Sequence, residues 1–218
     1  WFSAGLQGDE TYRNFYVWRD SIPDGYGLPW SDEKNSQLVW HYKKGVKGYF
    51  YGVFGFSNPD LNYQNPLVVD EMKSILRYWI DIGIEGFRVD AARYLMEEGA
   101  GNTADTESNY LLLAELMAFA KSLNPKVLFI GESFNSMEAS NEYFGNQSTL
   151  GFDALFNFEF FGGIRSLYEQ GADAEPHQND GVNLQSSIFD LYQRIEYHTP
   201  QGKEYFVFLN SHDITRFK

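Results

Sequence analysis

The sequence predicts an α/β fold built on a parallel sheet. Three observations carry the prediction: short apolar runs alternate with amphipathic helical stretches, turn signals bound the runs, and three of the four runs end at or near a carboxylate. Residues 1 to about 58 hold aromatic residues, Gly, Pro and Asp without a sustained helical period and read as a loop-rich subdomain. Within it, Leu38 to Tyr42 and Tyr49 to Phe54 flank Lys43 to Lys47 as an antiparallel hairpin. Asn65 and Pro66 then supply a cap and a first helical position. Val69, Met72, Ile75, Leu76, Trp79 and Ile80 continue the helical spacing up to Gly83. A short strand follows at Gly86 to Asp90, then a helix over about 109–123, ended by Asn124-Pro125. Val127 to Ile130 reads as a strand buried on both faces. Phe152 to Phe156 is the next strand. Helices near Glu159 to Tyr168 and Leu184 to Tyr197 follow, and Tyr205 to Leu209 is the last strand. The polar stretches at 99–108 and 171–181 read as long loops.

Composition excludes whole classes of function. With 17 basic against 30 acidic residues the formal charge is −13, which repels nucleic acid and anionic membrane surfaces. The absence of cysteine removes disulfides, thiolate metal sites and cysteine nucleophiles together. No run of about 18 apolar residues is present to span a bilayer. Trp1 begins in mid-pattern and reads as a cut rather than a start.

The chemistry lies at the strand ends. Parallel strands deliver their C-terminal ends to one face, so Asp90, Glu132 and Asp213, far apart in sequence, can converge on one cleft. Position alone leaves this reading level with three separate loop-end caps and ion pairs. Converging carboxylates repel one another unless a metal, a shared proton or an arginine compensates them. Arg88 precedes Asp90 by two residues and so shares its strand face, where it can keep that carboxylate ionised. An anionic carboxylate beside an arginine suits a nucleophile, and a carboxyl at the end of an apolar strand suits a proton donor. These are the two halves of retaining glycoside cleavage.

Three strings, GFRVDAARY at 86–94, FIGESF at 129–134 and FLNSHD at 208–213, resemble in order three signature regions of the α-amylase superfamily, glycoside hydrolase family 13. NPDLN at 58–62 is similar to that family's short motif near the end of its inserted domain B. The resemblance covers essentially the whole chain. It implies Asp90 as nucleophile, Glu132 as general acid and base, Asp213 as the third acid, and Arg88 and His212 as its substrate-site partners. Arg93, with Tyr94, stands where many α-amylases carry Lys-His; the likeness extends sugar binding to Arg93, with a surface ion pair as the other reading of that residue. It requires no cofactor for the chemistry and is compatible with a structural calcium ion.

The implied substrate is an α-glucan or malto-oligosaccharide, with transglycosylation as the alternative fate of the same intermediate. A catalytically inactive relative serving as a binding module would be expected to lose acids that are all present here. The implied architecture is a partial (β/α)8 barrel, strands four to seven, with residues 1–58 as a truncated domain B and 59–218 as barrel. A closed barrel takes about 250 residues before insertions. The segment alone is therefore expected to be unstable or inactive, because an open barrel exposes strand edges and apolar faces.

Overall fold

In the computed structural model, which describes residues 1–146, 148–170 and 188–213, the chain divides into two units. One comprises Trp1–Gly83 and Arg93–Leu123, the other Ile84–Ala92 and Asn124–Lys218. The first begins with two short helices, α1 (Phe2–Leu6) and α2 (Glu10–Arg13), the latter capped by the Asp9 side chain accepting from Tyr12 N–H. Strands β1 (Trp18–Arg19), β2 (Trp40–Tyr42) and β3 (Tyr49–Tyr51) form an antiparallel sheet in the order β1-β3-β2. The predicted hairpin is thus present, in the register Trp40↔Tyr51 and Tyr42↔Tyr49. Alternation sends Trp40 and Tyr51 into a core with Val17, Tyr26, Val39 and Val53.

Helix α3 (Pro66–Asp81) starts where Asn65 Oδ1 accepts from Leu67 N–H, with Pro66 in the first turn. It pairs with α4 (Glu107–Leu123) through Lys73–Glu115 at 2.5 Å and through Arg77, whose guanidinium lies 5.4 Å from the Phe119 ring centroid. Helix α4 begins two residues earlier than the sequence suggests, which shortens the polar loop before it. Buried Glu97 accepts from Tyr26 O–H and from Gly99 N–H at 2.8 Å, joining distant loops of this unit.

The second unit is a four-stranded parallel sheet in the order β4-β5-β6-β7: β4 (Gly86–Val89), β5 (Leu128–Gly131), β6 (Ala154–Phe156) and β7 (Glu204–Phe206). Helices α5 (Met137–Ser140), α6 (Phe158–Gln170) and α7 (Ile188–His198) accompany it. The paired register Arg88↔Ile130, Ile130↔Ala154 and Ala154↔Glu204 puts these four side chains on one sheet face. The other face carries Phe129 and Leu155, both buried. Strand β7 is shorter than the run Tyr205 to Leu209. Its partner β6 makes its last pair at Phe156↔Phe206 and α6 begins at Phe158, which leaves Val207 to Leu209 nothing to pair with on that side. Helix α5 and the tight turn at 141–144 have no counterpart in the sequence reading. The stretch 171–181 and the predicted helix start at Leu184 lie outside the described residues. Among the described residues no helix is long and apolar enough to cross a membrane.

Candidate active site

The register Val89↔Gly131 makes Asp90 and Glu132 leave the sheet side by side. Their backbones are tied by Glu132 N–H to Val89 C=O at 2.9 Å and Ala92 N–H to Glu132 C=O at 3.1 Å. Between them Ala91 turns into the left-handed region, φ +46°, and aims its N–H at Glu132 Oε2, 2.9 Å away. A non-glycine residue there carries about 1 kcal/mol of strain. Gly131 is required just below. A Cβ at that position would stand 2.7 Å from the ring of Phe152 and 2.8 Å from Leu155 Cδ2, both fully buried. Any side chain would push the strand end that carries Glu132.

Arg88 joins the two acids. Its Nη1 donates to Asp90 Oδ1 at 2.5 Å and its Nη2 lies 3.1 Å from Glu132 Oε2. The two carboxyls are close enough to act on each other's ionisation. Their environments differ: the Asp90 side chain is 72% exposed and that of Glu132 only 16%. Partial burial pushes the Asp90 carboxyl up. The hydrogen bonds from Glu132 and Arg88, with the Arg88 and His212 charges, outweigh it and hold Asp90 below the usual carboxylate value. Burial likewise pushes Glu132 up. The Ala91 N–H and the Arg88 charge oppose this, but the hydrogen bond to Asp90 and its negative charge add to burial and keep Glu132 above its ordinary value. The surroundings thus favour the charged form of Asp90 and the neutral form of Glu132.

His212 acts on Asp90 through its charge and stands with Nε2 3.2 Å from Asp213 Oδ2; both side chains are exposed. The Asp213 N–H donates to Ser211 Oγ at 3.2 Å. Arg93 belongs to the other unit, where its Nε lies 2.9 and 3.0 Å from the two Asp105 oxygens and its Nη2 2.5 Å from Oδ2. Among the described residues no three His, Asp or Glu side chains are grouped to hold a metal ion. Ala91 escaped the sequence reading because its contribution is a backbone N–H, which has no side-chain signature.

The family model "Alpha amylase, catalytic domain" matches residues 1–218. The chain is 31% identical over 208 residues to the salivary alpha-glucosidase of Aedes aegypti, covering 79% of this chain and 35% of that protein. It is 35% identical over 141 residues to a 4-alpha-glucanotransferase of Thermotoga maritima, covering 62% and 31%. It thus spans about a third of the length of these curated relatives. The crystal structure of an alpha-amylase from H. orenii superposes with a TM-score of 0.66 at 27% identity, covering 98% of this chain and 39% of that one. A four-stranded stretch of parallel sheet with paired acids at its C-terminal rim, matched from end to end, places the chain in the α-amylase family, glycoside hydrolase family 13, as part of its (β/α)8 barrel.

Proposed function

We propose that the protein is a retaining glycoside hydrolase acting on α-glucosidic bonds of starch-type oligosaccharides or polysaccharides. The observation that supports this most is the Asp90–Glu132 pair bridged by Arg88, one carboxyl held below its ordinary pKa and the other above. Inverting cleavage needs carboxyls about 6.5–9.5 Å apart to admit a water between acid and base, whereas retention uses about 5–5.5 Å. One guanidinium reaching an oxygen of each acid, at 2.5 and 3.1 Å, favours the shorter arrangement.

In this reading Asp90 attacks the anomeric carbon while Glu132 gives its proton to the departing glycosidic oxygen. The C–O bond breaks and a glycosyl ester forms on Asp90. Glu132, now anionic, takes a proton from water, whose oxygen displaces Asp90 and restores both carboxyls. Asp213 and His212 bind sugar hydroxyls. In the full-length polypeptide, Asp90→Asn and Glu132→Gln are each expected to lower hydrolysis of a malto-oligosaccharide by more than about a thousandfold. Proton NMR of the first product should show the α anomer. Initial release of the β anomer would sink the retaining assignment. Likeness to a 4-alpha-glucanotransferase favours a second outcome for the ester, attack by a sugar hydroxyl in place of water. Longer oligosaccharides accumulating at high substrate concentration would identify it.

A further inference from the structure

We propose that Phe156 is a positioning residue for Arg88, its ring fixing the plane of the guanidinium that touches both acids. The inference rests on the reading of Asp90 and Glu132 as the reacting pair and assigns a residue outside the motifs that carry the family resemblance. The Arg88 guanidinium carbon lies 5.5 Å from the Phe156 ring centroid, within the range at which an aromatic face attracts a cation. Both residues occupy the same sheet face by register. The ring is itself held edge-on by Phe206 at 5.2 Å and 71° and by Phe208 at 5.7 Å and 83°. Phe208 in turn stacks on Phe161 at 5.5 Å and 3°. The planar cation is thus gripped at its edge by two carboxylates and met by an aromatic ring braced from β6, β7 and α6. Ion pairing alone leaves a guanidinium free to tilt about its contacts, and a tilt here changes its distances to Asp90 and Glu132.

The test is a series in the full-length enzyme: Phe156→Leu, Phe156→Tyr, and Phe156 replaced by trifluorophenylalanine, which keeps the ring's shape and weakens its electron-rich face. The expected result is a loss in kcat/KM of about three- to tenfold for Leu. The fluorinated ring should lose a part of that, and Tyr should return to within about twofold of the parent. The acid limb of the pH–rate profile should move upward in the Leu and fluorinated variants as Arg88 loosens its hold on Asp90. Equal impairment of the Leu and Tyr variants, or a fluorinated enzyme indistinguishable from the parent in rate and pH profile, overturns the proposal. If the Leu variant does not fold, the fluorinated one decides. Asp90→Asn in the same protein separates the two levels: undiminished turnover there sinks the reacting-pair reading and this inference with it. Its expected loss beside an unaltered Phe156 series sinks the Phe156 assignment alone.

Discussion

At the scale of single residues, the site is a problem of two like charges that one arginine resolves unequally. Turnover in the proposed mechanism needs Asp90 ionised and Glu132 protonated, so the rate should rise with pH through the first group's pKa and fall through the second's. Arg88 lowers both, by a hydrogen bond and its charge on Asp90 and by its charge on Glu132. Arg88→Leu is therefore expected to move both limbs of the kcat/KM profile to higher pH and to reduce the maximum by about a hundredfold or more. A profile whose limbs stay fixed would mean that the arginine binds substrate without setting protonation. The Arg88–Asp90 contact was legible in the sequence, because two residues along a strand return to the same face. The third participant, Ala91 N–H, was not. Only the left-handed turn at φ +46° discloses it.

Among the elements, long periodic segments were readable and brief ones were not. Helices α3 and α4 show their spacing over four turns or more, whereas α1, α2 and α5 span four or five residues, too few to establish a period. Strand ends depend on the partner, as β7 demonstrates, and a strand's own residues cannot report its neighbour's length. One connection between elements yields a stability prediction. Asp60, in the NPDLN segment, binds β3 through its own N–H to Tyr51 C=O at 3.1 Å and accepts from Val53 N–H at 2.8 Å. Burial raises its carboxyl to about 6, against the downward pull of that N–H. The folded pKa lies above the unfolded one, so the folded state binds the proton more tightly. This stabilisation is full below the unfolded pKa and is lost as pH rises through about 6. Asp60→Asn keeps an oxygen for Val53 and removes the buried charge. It should raise stability at pH 7 by on the order of 2 kcal/mol and change it little at pH 4. Thermal melts at the two pH values provide the measurement, and equal Tm shifts at both would contradict the electrostatic cause.

Over the whole molecule, the described residues leave substantial apolar surface open in each unit. On the sheet face of Arg88, Leu128 is 56% and Phe206 51% exposed, and in the other unit Ile75, Tyr78 and Trp79 of α3 are exposed. The chain spans about a third of its curated relatives, so these surfaces set a prediction for the isolated 218-residue polypeptide. It should bind the dye ANS strongly and self-associate in sedimentation experiments, while the full-length protein does neither. Monomeric behaviour without dye binding, together with full activity, would show that the face needs no cover. The parallel sheet has one more consequence. Because every strand hands its last residue to the same rim, the segments beyond that rim can be lengthened, shortened or exchanged while the packing beneath stays untouched. Under the proposed function, loops edited there would alter which sugar is accepted while the frame that holds Asp90, Glu132 and Arg88 stays in place.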